Sequence, residues 1–437
     1  MTKTKIGIRK EDKNQWERRA PLIPAHVGSL IKEHQLEIWV QPSKIRIFGD
    51  EDYALQGAMI EEDLSPCSII LAVKEIPIHF FRPKKIYIFF SHTIKGQAHN
   101  MPMLKKMIEL GCTLIDYEKI VDGQGRRLLF FGKQAGQAGM IDTLWALGQR
   151  LTQLGIKNPF ANLKQAYYYQ SLVEAKEEIK KVGWQIYNHG LHSTLVPLIC
   201  GFAGYGHVSQ GAQEIFNLLP MEEVSPSHLL QFIKNRQFSA SKVYKTVFKE
   251  EDMVAPLDSG EKFELQDYYQ NPERYKSIFE SYLPYLTILV NCIYWTPKYP
   301  RFVTKKFLKE LWRFEDNPRL KVIGDISCDV EGSIECTLHS TDPGQPVFTY
   351  NPLQEKAIDG FQGKGVVIMA VDNLPAEISL ESSIFFSQAL MPFVPPIAQA
   401  DYSQSFSSLN LPEPIKRAII LYQGQFTPGY QYMKKFI

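Results

Sequence analysis

Four charged side chains stand at the ends of three short apolar runs in the first third of the chain. Lys74 and Glu75 follow the first run, His92 follows the second and Glu118 follows the third. Each of them alone could be a solvated loop residue or half of a structural salt bridge. If the runs are parallel strands, however, their carboxyl ends meet at the edge where open α/β sheets bind ligands. A histidine moves protons near neutral pH, and burial and carboxylates tune a lysine, so the group predicts an acid–base site.

Two adjacent arginines, Arg18 and Arg19, lie in the charged loop after the first predicted strand. A guanidinium fork binds a carboxylate through two parallel hydrogen bonds. We therefore expect Arg19 to bind a substrate carboxylate. Arg18 is the alternative, in which case Arg19 would lie on a solvated face.

A glycine-rich turn near the middle of the chain follows an apolar run and precedes a helical pattern. Gly204 and Gly206 have the G-x-G spacing that allows a tight turn and close approach of a pyrophosphate. A helix that begins there would add N–H donors and a partial positive charge. The third position of the motif is Ser209 rather than glycine or alanine, so an ordinary tight turn is the alternative. The predicted dinucleotide-binding residues of this turn are Gly204, Gly206, His207, Val208, Ser209 and Gly211.

The residue that would contact the adenosine ribose is expected about 20 positions beyond the first glycine. Ser225 lies 21 residues after Gly204, where an NAD site would carry a carboxylate. A serine does not repel a 2′-phosphate, so the sequence favours NADP over NAD, although the nearby Glu223 weakens the inference. The cation that a 2′-phosphate needs could come from any of three lysines, Lys242, Lys245 and Lys249.

Alternating strands and helices must position these groups. Strands are predicted at 5–9, 37–40, 68–73, 86–90 and 113–116, and a helix is predicted after Pro24. Short buried runs that alternate with helical patterns indicate βαβ units and a mostly parallel sheet. The sequence thus predicts an α/β protein.

The rest of the chain continues this pattern beyond a domain boundary predicted near Gly132. Further strands are predicted at 195–202, 287–294, 322–326 and 366–371, and helices at 136–154, 171–181, 213–219 and 382–390. The third of these helices follows the glycine-rich turn, and the second begins at a capping box formed by Ser171 and Glu174. The segment 235–270 is charged and predicts a loop. The last forty residues are expected to pack back onto the first domain.

The composition excludes several classes of protein. The 437 residues carry a net charge of +2, with 44% hydrophobic and 22% charged residues, which is typical of a globular chain and not of a fibrous or disordered one. This balance predicts neither a nucleic-acid partner nor a membrane surface. The six cysteines are scattered without a CxxC pair, and no cluster predicts a metal site. With no signal peptide in the sequence, we expect reduced thiols and a cytoplasmic protein.

Beyond single motifs, the chain resembles the lysine–ketoglutarate reductases, the lysine-forming saccharopine dehydrogenases that make up the N-terminal half of aminoadipic semialdehyde synthase. It is similar, more distantly, to alanine dehydrogenase and to the NAD domain of transhydrogenase. The matching stretches run in order along nearly the whole chain: 6–22, 73–77, 89–97, 139–143, 204–214, 325–329, 332–335 and 369–377.

This resemblance implies two Rossmann-like domains with mostly parallel sheets and an interdomain cleft. The catalytic domain would be discontinuous, formed by 1–131 and 376–437, and 132–375 would hold the dinucleotide. The resemblance also implies the reaction, in which L-lysine condenses with 2-oxoglutarate to an imine that NADPH reduces to saccharopine. Lys74 and His92 match the family's acid–base pair, Arg19 its carboxylate-binding arginine, and Glu75 and Glu118 its carboxylates beside the lysine. Asp325 matches a position of the cofactor domain that faces the active site.

Two other functions stay open at this stage. The chain could be a related imine reductase or amino-acid dehydrogenase with another substrate, or a non-catalytic module that senses a dinucleotide. The length also leads us to expect a stand-alone reductase, with any saccharopine-oxidising step carried out by a separate enzyme.

Overall fold

The computed structural model describes residues 4–437 and divides the chain into two compact units. The first unit consists of the residues up to Phe131 together with Ser379–Ile437, and the second consists of Gly132–Ile378. The chain therefore leaves the first unit once and returns to it once.

Eighteen strands are found in the described residues, most of them three to five residues long. In chain order they are β1 (Lys5–Ile8), β2 (Glu37–Val40), β3 (Met59–Ile60), β4 (Ile69–Leu71), β5 (Ile86–Phe89), β6 (Thr113–Asp116), β7 (Ile199–Ala203), β8 (Met221–Glu223), β9 (Val243–Phe248), β10 (Val254–Pro256), β11 (Tyr275–Ser277), β12 (Ile288–Asn291), β13 (Val322–Asp325), β14 (Val347–Asn351), β15 (Lys356–Asp359), β16 (Val366–Met369), β17 (Ile419–Tyr422) and β18 (Gln425–Phe426).

Thirteen α-helices connect these strands within the same residues. They are α1 (Pro24–His34), α2 (Asp50–Leu55), α3 (Met101–Glu109), α4 (Gly132–Gln153), α5 (Leu172–His189), α6 (His207–Phe216), α7 (Pro226–Asn235), α8 (Glu250–Met253), α9 (Leu265–Gln270), α10 (Lys305–Phe314), α11 (Ser379–Leu390), α12 (Val394–Gln399) and α13 (Glu413–Arg417).

The first unit is built on an eight-stranded sheet with the order β18-β17-β6-β5-β4-β1-β2-β3. The six strands from β6 to β3 are parallel, and the C-terminal hairpin adds antiparallel β17 and β18 beside β6. Every residue of β4, β5 and β6 is buried, as expected for parallel strands whose two faces are both covered. The register pairs Leu71 with Ile88 and Ile88 with Ile115, which places the carboxyl ends of the three strands at the same level.

The second unit contains another eight-stranded sheet, with the order β15-β14-β16-β13-β12-β7-β9-β8. The six strands from β16 to β8 are parallel, and β14 and β15 form an antiparallel hairpin at one edge. Strand β7 lies between β12 and β9, although β8 comes before β9 in the chain. A separate two-stranded ribbon pairs β10 with β11.

The α/β class and the mostly parallel sheets predicted from the sequence are confirmed. The predicted strands and helices are present, and their observed bounds differ at the ends; α4, for example, begins at Gly132 rather than at 136. Ser171 caps α5 as predicted, accepting a hydrogen bond from the Glu174 amide at 3.3 Å.

The prediction of a loop at 235–270 is wrong, because this segment contains β9. Four of the six residues of β9 are apolar or aromatic, and five of the six are buried. Local composition does not predict this strand, because charged residues lie on either side of it and the buried Lys245 lies within it. Strands β8, β14 and β15 also went unpredicted.

Candidate functional site

Lys74 and Glu75 lie just beyond β4, in a backbone segment that is held by a buried carboxylate. Glu11, in the loop after β1, accepts hydrogen bonds from the amides of Val73 and Lys74 at 2.6 and 3.0 Å. Burial, with help from the negative charge of Glu17, raises the pKa of Glu11 to about 7, although the two amides oppose the shift. The buried carboxylate of Glu11 thus holds in place the backbone that carries Lys74.

Glu75 and His92 form the shortest polar link between two of the predicted site residues. The Nδ1 atom of His92 lies 2.6 Å from Oε1 of Glu75, and the ammonium of Lys13 lies 3.2 Å from Oε2. Burial alone would raise the pKa of Glu75, but the hydrogen bond and charge of His92 and the charge of Lys13 outweigh it and lower that pKa far below its ordinary value. His92 and Lys13 therefore favour the ionised form of Glu75.

The ring of His92 is oriented by its surroundings. The residue has a left-handed backbone with φ of +46°, its carbonyl accepts a hydrogen bond from Asn100 Nδ2 at 3.1 Å, and its ring stacks on Phe90. Because the partner of Nδ1 is an ionised acceptor, we assign the ring proton to Nδ1. This leaves Nε2 as the nitrogen that can exchange a proton with a bound molecule.

Lys74 is the uncompensated cation of the group. Within residues 4–437 its ammonium has no hydrogen-bond or ion-pair partner; only its backbone amide is engaged, by Glu11. Burial lowers the pKa of Lys74, and the positive charges of Arg19 and Lys13 lower it further, against smaller opposing effects from Glu17 and Glu75. Such a lysine releases its proton more readily than an exposed one.

Arg19 is buried in an ion pair with its own loop. Its Nε and Nη2 atoms donate to the two carboxylate oxygens of Glu17 at 2.7 and 2.6 Å, and its guanidinium lies 4.4 Å from the ring centre of Phe131. The neighbouring Arg18 donates from Nε to the carbonyl of Ile45 at 3.3 Å. The guanidinium of Arg19 is predicted to bind a substrate carboxylate. In this structure it is paired with the carboxylate of Glu17.

Glu118 follows β6 at the same edge of the sheet but pairs elsewhere. Its carboxylate forms an ion pair with Arg127, and its amide donates to Asp116 Oδ1 at 2.7 Å. Lys74, Glu75 and His92 are thus brought together, while Glu118 interacts with a different partner.

Three members of this cluster were missed by the sequence reasoning: Glu11, Lys13 and Glu17. All lie in the charged run after β1, which lacks any hydrophobic periodicity and was interpreted as loop. The burial of Glu11 has no local signal, because it depends on contacts with the segment after β4. Glu17 pairs with its near neighbour Arg19, but the charged run does not show that this pair is buried.

In the second unit, the glycine-rich turn joins β7 directly to α6. Gly204 has a φ of +93°, and its amide donates to the carbonyl of Phe248 at 3.0 Å. A Cβ atom there would lie 2.9 Å from Ile293 Cγ2, so both backbone and space require glycine. Gly206 is the N-cap of α6, and a Cβ there would meet nothing within 4 Å. The turn therefore leaves open space in front of a helix N-terminus, which fits a pyrophosphate.

The later residues of the motif divide between the helix start and the interior. His207 and Val208 form the first turn of α6, whereas Ser209 is buried and accepts a hydrogen bond from Gln213 Nε2 at 2.9 Å. A Cβ at Gly211 would overlap the carbonyl of Lys133 at the start of α4. Gly211 thus permits two helices to pack closely.

The strand order changes which residue lies beside the turn. Ser225 follows β8 and precedes α7, one strand further from β7 than the spacing rule assumes, because β9 lies between them. Of the three candidate lysines, Lys242 precedes β9 and pairs with Glu222, and the buried Lys245 pairs with Glu223. Lys249 directly follows the carboxyl end of β9, next to the carbonyl that holds Gly204.

Asp325, at the end of β13, is fully buried and forms hydrogen bonds within the unit. It accepts from Asn291 Nδ2 at 2.8 Å, from Thr337 Oγ1 at 2.6 Å and from the Cys328 amide at 3.2 Å. Burial raises its pKa to about 6, although these hydrogen bonds oppose the shift. Its carboxylate organises the loop that follows β13.

Known proteins place the chain in a family. Two family models match it: Alanine dehydrogenase/PNT, N-terminal domain, over residues 7–138, and Alanine dehydrogenase/PNT, C-terminal domain, over residues 296–429. The chain belongs to the alanine dehydrogenase/PNT family.

Two relatives in this family match almost the whole chain. Alpha-aminoadipic semialdehyde synthase of Arabidopsis thaliana is 40% identical over 98% of the chain, which spans only 41% of that protein. The saccharopine dehydrogenase [NAD(+), L-lysine-forming] of Emericella nidulans is 29% identical, covering 90% of the chain and 92% of the relative. The resemblance stated from the sequence motifs is thereby confirmed.

The fold agrees with a solved member of the alanine dehydrogenase/PNT family. A structure of L-alanine dehydrogenase superposes with a TM-score of 0.62 at 16% identity, covering 99% of this chain and 100% of that one. At this identity the likeness concerns the fold. No helix in residues 4–437 is long and apolar enough to span a bilayer.

Proposed function

We propose that this protein is an oxidoreductase that condenses L-lysine with 2-oxoglutarate and reduces the resulting imine to saccharopine with NADPH. The observation that carries the proposal is the Lys74–Glu75–His92 cluster at the carboxyl edge of the first sheet. It supplies a proton acceptor, His92, and a proton donor, Lys74, at the same edge of the sheet, and imine formation requires both. The names of the relatives that match along the whole chain support this choice of substrates.

His92 is the proposed base of the condensation. Glu75 holds the Nδ1 proton, so Nε2 accepts a proton from the lysine ε-amine as the amine nitrogen bonds to the keto carbon of 2-oxoglutarate. The C=O π bond opens in this step, and Nε2 passes the same proton to the former keto oxygen, which becomes the hydroxyl of the carbinolamine. Glu75 also stabilises the imidazolium that forms, since its carboxylate stays ionised.

Lys74 is the proposed acid. Loss of water from the carbinolamine needs a proton on the departing hydroxyl, and the ammonium of Lys74 has no carboxylate hydrogen-bonded to it that would hold its proton. Its lowered pKa makes that proton easier to give up. The imine nitrogen stays bonded to both substrates, and reduction at its carbon gives the secondary amine of saccharopine.

The hydride for this reduction comes from a bound nicotinamide dinucleotide, which is that group's own chemistry. Gly204, Gly206 and the first turn of α6 are the residues proposed to hold its pyrophosphate. For the adenosine 2′-phosphate of NADPH we propose Lys249, because it is the candidate lysine at the carboxyl end of the strand next to β7. Ser225 remains a prediction of the spacing rule, and Asp325 is proposed to support the cofactor through the loop it organises.

The site must also bind the carboxylates of its substrates, since lysine and 2-oxoglutarate carry three between them. Arg19 stays the proposed ligand for one of them, and Arg18 for another. For Arg19, binding would mean sharing or replacing Glu17 on the guanidinium fork. Glu118 is proposed to orient the lysine α-amine, a role in which its pairing with Arg127 would also have to open.

The decisive experiment follows the absorbance of NADPH with purified protein, lysine and 2-oxoglutarate. We expect oxidation of NADPH only when both substrates are present, with saccharopine found by mass spectrometry. Lys74→Met and His92→Gln should each lower turnover at least 100-fold, whereas Lys105→Met, which changes an exposed lysine of the same unit, should not. If both site variants turn over like the wild type, the site assignment is wrong.

Other amines and keto acids, tested in the same assay, separate this proposal from a related imine reductase. NADPH that binds without being consumed would instead favour a dinucleotide sensor.

Cofactor choice has its own test in two variants. Lys249→Gln should raise the KM for NADPH about 10-fold and leave that for NADH unchanged, because only NADPH carries the 2′-phosphate. Ser225→Ala should change neither. The opposite pattern would restore the spacing rule and contradict the strand-order argument.

The proposed compartment is a reducing one such as the cytoplasm, in keeping with the six cysteines, all of which are free.

A further inference from the structure

A cavity of about 590 Å³ opens at the amino-terminal edge of the second sheet. Its walls come from the segments that lead into β7, β12 and β13, and from the end of α7. The glycine-rich turn follows the opposite end of β7. The cavity is therefore separated from the proposed dinucleotide site by the length of the strands.

Three cations line this cavity: Arg236, Arg319 and Lys321. The one carboxylate among the lining residues is Glu315, so the charged lining residues sum to +2. Within residues 4–437 none of the three cations has a carboxylate within ion-pair distance. The cavity thus concentrates positive charge that Glu315 offsets only in part.

The hydrogen bonds of these cations go to neutral oxygens. Lys321, which is 8% exposed, donates to Asn317 Oδ1 at 2.6 Å and to the Pro318 carbonyl at 2.5 Å, while Arg319 Nη1 donates to the Pro197 carbonyl at 2.8 Å. One ammonium N–H of Lys321 and the Nε and Nη2 groups of Arg319 have no described acceptor. Donors on cations are therefore left over at the cavity wall.

Keeping Lys321 charged in this place is costly. Burial lowers its pKa to about 8, and the positive charges of Arg150 and Arg319 add to the effect, with Glu315 opposing it. A bound anion would offset both the burial and the repulsion.

We propose that this cavity is a binding site for a small metabolite that carries carboxylate or phosphate groups. The volume suits a small metabolite, since small-molecule sites commonly measure about 300–1,000 Å³. Arg319 and Lys321 would contact the oxyanion from the wall and Arg236 from the rim. The site is distinct from the one that carries the proposed reaction.

The test is calorimetric titration of the full chain, at constant ionic strength, with inorganic phosphate in one arm and succinate in the other. We expect saturable one-site binding in at least one arm, and the arm that binds identifies the anion class. Arg319→Gln and Arg236→Gln should each raise the Kd at least 10-fold. Lys180→Gln is the matched control, because it removes an exposed cation of the same unit and should leave the Kd unchanged.

Two results would overturn the proposal. One is the absence of saturable binding in both arms. The other is binding by both arginine variants with the wild-type Kd, which would place the anion elsewhere, for example at the glycine-rich turn. Thermal melting checks that each variant is folded. If Arg319→Gln fails to fold, the exposed Arg236 decides the question alone.

Discussion

At the residue scale, the proposed chemistry of the first unit depends on the carboxylate of Glu75, whose pKa His92 and Lys13 lower. Glu75 accepts the Nδ1 proton of His92 in a hydrogen bond and so fixes the tautomer of the ring. Its negative charge would stabilise the positive charge that appears on the imidazole during the condensation. Glu75 contacts the proposed base as carboxylates contact the histidines that bind metal ions, and mutation of such a carboxylate commonly costs about 10–100-fold in activity or metal affinity.

Glu75→Gln should therefore lower kcat/KM about 10–100-fold while the protein melts near the wild-type temperature. The amide keeps the size of the side chain but cannot stabilise an imidazolium. Steady-state kinetics with both substrates measure the effect. Glu62→Gln, an exposed carboxylate paired with Lys10, serves as the control; equal losses in both variants would contradict the special role of Glu75.

Two carboxyl groups, those of Asp142 and Glu377, are buried together in the second unit and share a hydrogen bond. Asp142 Oδ1 accepts from the Ala166 amide at 2.7 Å and Glu377 Oε2 from the Tyr167 amide at 3.2 Å. Burial raises the pKa of both groups, and the charge of Asp142 raises that of Glu377 further. At a pH above the ordinary carboxyl pKa, the folded pair therefore keeps a proton that the unfolded chain has already released.

The sign of the resulting pH dependence follows. Between the ordinary glutamic acid pKa of 4.5 and the raised value, the folded state binds more protons than the unfolded state, so stability falls as pH rises. Glu377→Gln mimics the protonated acid, with its amide donating to Asp142. Its melting temperature relative to wild type should rise between pH 5.5 and pH 8.5, by about 2–4 °C for each kcal/mol gained. A difference that stays constant with pH would contradict the shared proton.

At the element scale, the glycines around α6 have two separate roles. Gly136 of α4 and Gly211 of α6 have no room for a Cβ, since each would overlap backbone atoms of the other helix. Gly206, by contrast, faces open space at the helix start. The same residue type thus serves helix packing at two positions and ligand approach at another.

Gly211→Ala should consequently lower stability by about 1–3 kcal/mol, a typical cost of overpacking. Gly206→Ala should leave the melting temperature nearly unchanged, because its φ of −73° suits alanine, and yet weaken dinucleotide binding at least 10-fold. Thermal melting and fluorescence titration with NADPH distinguish the two effects. A Gly206→Ala variant that binds NADPH normally would exclude close approach of the pyrophosphate there.

At the scale of the whole molecule, the first unit depends on the end of the chain. Strand β17 pairs with β6, and its residues Ile419, Ile420 and Leu421 are fully buried in the core of that unit. The second unit is formed by a continuous segment with its own sheet and core.

A chain that ends at Ile378 should therefore lose the first unit and keep the second. Hydrogen exchange should show protected amides in β7 and β12 but not in β1, β4 or β5. Loss of protection in both units would mean that they fold as one cooperative whole, and protection in both would mean that β17 is dispensable.

The sequence by itself determined the features that depend on neighbouring residues. Buried runs identified β4, β5 and β6, their polar ends located Lys74, Glu75 and His92, and the glycine spacing located the turn before α6. These signals are local, because strand burial, capping and left-handed turns depend on a few consecutive side chains.

Only the tertiary structure decided what depends on distant segments. It inserted β9 between β7 and β8, so that Lys249 rather than Ser225 follows the strand beside β7. It also joined the buried Glu11 to the backbone after β4, and it gathered Arg236 with Arg319 and Lys321 at one cavity. Strand order and the pairing of buried charges arise from packing between segments far apart in the chain, which no local spacing records.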